Sequence, residues 1–156
     1  MCMIPLVSGN AHRRSIDRTQ QACGMRLKAM RMPGNPVIAI VDDDEAVRLA
    51  TASLLRSLGY RTCVFASALD FLAAGMDRKA ACLITDVRMP GMDGIELQRV
   101  LNSRNCPIPV LFMTAYCNDA LRQRVLAAGA VCMLEKPFDC EIIVRHLEEA
   151  LKSGAP

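Results

Sequence analysis

The sequence has no tryptophan, only two tyrosines and four phenylalanines, and just two histidines among 156 residues. No apolar run approaches the roughly 18 residues that a membrane span requires. The first residues are apolar and turn basic only at His12, Arg13 and Arg14, the reverse of a secretory signal. Eight cysteines are present, but none forms a CxxC pair and no histidine cluster stands near them, which argues against a zinc site. Most lie in apolar segments, where a thiol packs as a small hydrophobe. The pattern suits a reducing compartment, so the expectation is a soluble cytoplasmic protein of one domain.

Charge is divided unevenly. Residues 1 to 35 carry six Lys or Arg against the single acid Asp17, so the whole positive excess of the chain belongs to them. A basic arm of this kind can bind nucleic acid or a membrane surface. This one has no aromatic residue for base stacking and no periodicity, so it is read as a disordered extension, with an internal start at Met25, Met30 or Met32 as the alternative.

From Pro36 onward two periodicities alternate. Val37 to Val41, Arg61 to Phe65, Ala81 to Thr85, Pro109 to Met113 and Ala130 to Leu134 are short apolar runs suited to buried strands. Helical spacing starts at Glu45, with Val47, Ala50, Leu54, Leu55 and Leu58 as its apolar set, and near Ser67, where Asp70 is a capping partner. It returns after Gly94, over Asp119 to Ala128, and over Asp139 to Lys152 with Val144, Leu147 and Leu151 on one face. Five strands alternating with five helices predict an α/β fold around a parallel sheet.

The run VDDDEAVR raises the chemical question. Three consecutive aspartates follow the first strand, and Asp44 alone is explained as the cap of the next helix. In an open parallel sheet the ligand site lies beyond the carboxyl ends of the strands. There the sequence sets Asp42 and Asp43, Asp86, Thr114, and Lys136 with Pro137. Three facing carboxylates repel unless a hard cation joins them, and Mg2+ favours such oxygen donors with retained water. A carboxylate beside that cation, with an ammonium and a hydroxyl opposite, can attack a phosphoryl donor.

At these residues a resemblance becomes specific. VDDDEAVR, TDVRMPGMDGIEL, FMTAY and LEKPF occur in the order and spacing of response-regulator receiver domains of bacterial two-component systems, over residues 36 to 152. The chain is particularly similar to receivers that precede helix-turn-helix output domains. The resemblance implies a doubly wound, flavodoxin-like sheet of order 2-1-3-4-5, with residues 153 to 156 a short tail. It implies Asp86 as phosphoacceptor and Asp42, Asp43, Asp86 and the Arg88 carbonyl as Mg2+ ligands. Thr114 and Lys136 would grip the phosphoryl group, and the Lys136–Pro137 bond would be cis. The family's aromatic switch position is occupied by Met133.

The implied role is that of a phosphoacceptor signalling protein rather than an enzyme with a small-molecule substrate. A histidine kinase or phosphotransfer protein would supply the phosphoryl group. The partner face would be helix 4, strand 5 and helix 5, with phosphorylation-dependent homodimerisation conceivable there. Because the sequence closes on LKSGAP directly after the last helix, the expectation is a stand-alone receiver that docks proteins and makes no direct contact with nucleic acid or membrane. Two rivals are a phosphorylation-independent docking module and, further off, an aspartyl-phosphate hydrolase. The hydrolase's D-x-D-x-T/V run is broken here by Ala46.

Overall fold

The computed structural model describes residues 34–153. The expected N-terminal extension, apart from Gly34 and Asn35, and the end of the short tail lie outside the described residues. Five strands form one parallel sheet: β1 (Val37–Val41), β2 (Arg61–Phe65), β3 (Cys82–Asp86), β4 (Val110–Thr114) and β5 (Cys132–Glu135), in the order β2-β1-β3-β4-β5. Every neighbouring pair is parallel, so each connection must cross over the sheet, and a helix does so each time. The crossovers carry α1 (Glu45–Ser57), α2 (Ala68–Ala73), α3 (Gly94–Ser103) and α4 (Asp119–Ala127), and α5 (Cys140–Ser153) follows β5.

The central strands are covered on both faces, which is why β1, β3 and β4 read as unbroken apolar runs: Ile38, Ile40, Leu83, Ile84, Leu111 and Phe112 are fully buried. The edge strand β2 is only half-buried. Three strands begin one or two residues later than the sequence suggests. Pro109 illustrates why: it has no N–H to give the ladder, although its carbonyl accepts from Leu83.

Capping sets the helix starts. Asp44 accepts from the N–H groups of Ala46 and Val47, Asn118 from Leu121, and Asp93 forms a reciprocal box with Glu96. Ser67 accepts from the Asp70 N–H and donates to its carboxylate, the expected pairing. On α1 the buried stripe is Thr51, Ala52 and Leu55, with Val47, Leu54 and Leu58 half-buried. Ala50 is exposed, contrary to the periodic reading, because the face toward the sheet runs through residues 51, 52 and 55. A 3-10 turn at Met76–Arg78, not anticipated, joins α2 to β3.

Cys82 is wholly buried, and burial pushes the Cys132 thiol up to about 11, so both pack as apolar groups. Among the described residues no helix is long and apolar enough to cross a membrane.

Candidate functional site at the carboxyl edge of the sheet

β1 ends at Val41, which places Asp42 and Asp43 immediately past its carboxyl end. β3 ends on Asp86 itself, beside it. One carboxylate oxygen from each of Asp42, Asp43 and Asp86 falls within 4.8 Å of the other two. Asp42 is 0% exposed, Asp86 is half-buried and Asp43 is open to solvent. The cis Lys136–Pro137 peptide follows β5, and Lys136 reaches back across the sheet. Its Nζ donates to Asp42 Oδ2 and to Asp86 Oδ2, each at 2.7 Å.

Backbone donors fix the remaining carboxylate oxygens. The Asp44 N–H donates to Asp42 Oδ1 and the Arg88 N–H to Asp86 Oδ1, both at 2.9 Å. The Asp43 carboxylate has no hydrogen-bond partner among the described residues. Burial pushes the Asp42 carboxyl above its ordinary value; the Lys136 bond and the Asp44 N–H pull it partly back, and the charge on Asp86 pushes the same way as burial. For Lys136 burial disfavours the ammonium, but the bonds to Asp42 and Asp86 outweigh it and hold the pKa above normal. Both side chains are thus shaped by a site holding three carboxylates and a single bonded ammonium.

Thr114 closes β4 and is almost wholly buried. Its hydroxyl donates to the Tyr116 carbonyl at 3.1 Å and accepts from the Tyr116 N–H at 3.2 Å, so both of its bonds lie in its own loop. Met133 is 7% exposed and belongs to the core that also contains Phe112, Leu121 and Val125. Arg88, named for its carbonyl, is exposed and lies next to the cluster through its N–H.

Two contributors escaped the sequence reading. The Arg48 guanidinium donates to the Asp42 carbonyl at 2.6 Å, bracing the loop after β1 from the first turns of α1. Gly94 lets the start of α3 touch the end of β3: a Cβ there would stand 2.2 Å from the Asp86 carbonyl oxygen. Its signal was the glycine closing RMPGMDG. No pattern marked Arg48.

The donor set fits a hard cation. All three side chains offer oxygen, and among the described residues no histidine or cysteine joins them and the Asp43 carboxylate has no partner that a metal would have to displace.

An open α/β sheet of order 2-1-3-4-5 with an acidic, lysine-bridged pocket at its carboxyl edge defines a flavodoxin-like receiver fold. The family model described as response regulator receiver domain matches residues 38–148, and the chain belongs to that family. It is 39% identical over 124 residues to the transcriptional regulatory protein FixJ of Azorhizobium caulinodans, covering 80% of this chain and 59% of that one. To the response regulator protein TodT of Pseudomonas putida strain F1 it is 40% identical over 116 residues, 74% of this chain and 51% of the relative. The chain therefore spans about half to three-fifths of these curated relatives.

Among solved structures, FixJ-N superposes with a TM-score of 0.71 at 35% identity, covering 79% of this chain and 96% of that one. Chemotaxis protein CheY4 of Vibrio cholerae gives 0.68 at 26% identity, with 74% and 98% covered. Receiver domains belong to two-component signalling and generally bind Mg2+ at an acidic pocket such as this one.

Proposed function

We propose that this protein is a phosphoacceptor of a two-component phosphorelay, taking a phosphoryl group onto Asp86 from a histidine kinase or phosphotransfer protein. The observation that carries the reading is the Lys136 ammonium bonded at once to Asp42 and Asp86, with Asp43 completing the acidic set. In this reading Asp86 is the attacking residue. It is half-buried and on the strand end, and its Oδ1 is oriented by the Arg88 N–H.

An oxygen of Asp86 attacks phosphorus, the bond from phosphorus to the donor's leaving atom breaks, and the product is an acyl phosphate on Asp86. Asp42, Asp43 and Asp86, with the Arg88 carbonyl, would hold Mg2+, which when bound offsets negative charge on the transferred oxygens. Lys136 and the Thr114 hydroxyl supply positive charge and a donor to the same oxygens, so the group is held from the ends of β4 and β5 as well as β1 and β3. The signal then passes to a protein partner across α4, β5 and α5, and phosphorylation-dependent pairing of two copies through that face belongs to the same reading. Contact with nucleic acid is no part of this reading. Nor is turnover of a small substrate: the activity is self-phosphorylation and loss of the same group, in the cytoplasm.

Intact-mass measurement after incubation with acetyl phosphate and Mg2+ tests the assignment. One phosphoryl adduct is expected, absent from Asp86→Asn and absent without Mg2+. An adduct that survives in Asp86→Asn would move the acceptor to another residue.

A further inference from the structure

The loop from β1 into α1 holds Asp43 by bonds that the Asp43 side chain does not make. Its carboxylate has no hydrogen-bond partner among the described residues, yet the peptide on each side of it is pinned. On the far side the Asp44 N–H donates to Asp42 Oδ1 at 2.9 Å. On the near side the Asp42 carbonyl accepts from Arg48 Nη1 at 2.6 Å. A peptide unit is planar, so that carbonyl shares one plane with the nitrogen and the Cα of Asp43. Asp42 is itself fixed: its N–H donates to the Phe65 carbonyl of β2 at 3.2 Å, and its carboxylate is held by the Asp44 N–H and by Lys136. The one soft torsion left between the two Cα atoms is the ψ of Asp42, and the Arg48 bond sets it.

Arg48 is suited to orient this loop more than to neutralise it. It is the fourth residue of α1, where a side chain leans back toward the amino end of the helix and so toward the loop. A cation in that first turn stands against the helix dipole, which favours acids there. Even so, Arg48 forms no ion pair with Asp42, Asp43, Asp86 or any other described carboxylate, and its guanidinium bond goes to a carbonyl.

We propose that Arg48 is a positioning residue for the cation site: by holding the Asp42 carbonyl it aims the Asp43 carboxylate toward Asp42 and Asp86, and so sets the affinity of the acidic set for Mg2+. The inference rests on the Mg2+ site of the phosphoacceptor reading. Arg48 touches neither the cation nor the reacting atoms and acts through the backbone of the loop.

Two variants separate orientation from charge. Arg48→Met keeps an apolar stem without a donor, and Arg48→Lys keeps the charge and a donor on a shorter chain. Mg2+ binding is followed in the whole chain by titrating the amide shifts of Asp43 and Asp44, with no phosphoryl donor present. Affinity should fall by about tenfold in Arg48→Met and by less in Arg48→Lys. Charge alone gives the reverse order, since removing a cation beside an acidic set draws Mg2+ in more tightly. Thermal melting without Mg2+ checks that both variants fold, and a purely structural role moves the melting temperature without moving the affinity. An affinity unchanged or tighter in Arg48→Met, or a loss in Arg48→Lys as large as in Arg48→Met, overturns the assignment while leaving the phosphoacceptor reading intact. Mg2+ binding by a wild type that takes up no phosphoryl group would overturn the phosphoacceptor reading alone. A wild type that binds no Mg2+ overturns both.

Discussion

Two ends of one sheet treat a buried aspartate in opposite ways. At the amino end Asp77, 6% exposed, sits in the turn before β3 and is matched by one cation, Arg104, at 3.3 Å. At the carboxyl end Asp42, 0% exposed, shares Lys136 with Asp86 while Asp43 stands alongside. The first arrangement satisfies a charge; the second accumulates it. A cluster with more carboxylates than bonded ammonium groups lowers the stability of the fold, and such a deficit at a strand-end pocket marks the place where a ligand is received.

The contrast can be broken most forcefully through Lys136. Lys136→Met leaves two neighbouring carboxylates without their cation and should cost about 3 kcal/mol at neutral pH, measured by urea unfolding. The sign with pH follows from both shifts. Lys136, raised above its ordinary value, contributes fully below it and loses that contribution as pH climbs through its folded pKa. On the acid side Asp42, also raised, takes up a proton and no longer needs the lysine, so the gap between variant and wild type should narrow as pH falls through the Asp42 titration.

Next in size, Gly94→Ala forces a methyl against the Asp86 carbonyl, which is backbone and cannot swing aside. A loss of about 2 kcal/mol is expected, with acetyl phosphate labelling impaired because the end of β3 must shift. At the other end of the sheet, Asp77→Asn should lose about 1–2 kcal/mol, since the charge-assisted bond to Arg104 goes. There labelling at Asp86 should stay unchanged, and a fall would show that the two ends are not independent.

The smallest effect has the opposite sign. Asp43→Asn removes a carboxylate that bonds to no described residue, so the melting temperature without Mg2+ should rise by about 1–3 °C. The same variant should abolish the upward shift that millimolar Mg2+ gives the wild type.

How much of this was legible beforehand follows from the same contrast. The strand ends were readable because an apolar run followed by acids violates local economy, and Asp42, Asp43 and Asp86 do come together as their positions implied. Thr114 was placed at the edge of the pocket, but its bonds to Tyr116 were invisible, because a hydroxyl's partner depends on loop geometry and not on residue type. Arg48 was hidden for a related reason: on α1 it reads as an ordinary exposed position, and only the tight turn after β1 brings the Asp42 carbonyl to it. The exposed Ala50 shows the limit of periodicity, since alanine carries too little apolar area to fix the face of a helix. Asp77 and Arg104 lie far apart in sequence in unremarkable segments, and nothing in their spacing announces the pair.

The all-parallel sheet also has a consequence for how the molecule comes to be. It contains no hairpin, so no strand can pair with its sequence neighbour until an entire crossover has been laid down. The bonds of the pocket are more distant still: Lys136 reaches Asp86 across 50 residues and Asp42 across 94. Such contacts are among the last that a chain can close, because the entropy of every intervening loop must be spent first. The bonds of the pocket join residues at the ends of β1, β3 and β5, so an intact pocket reports that these strands have been brought into one sheet.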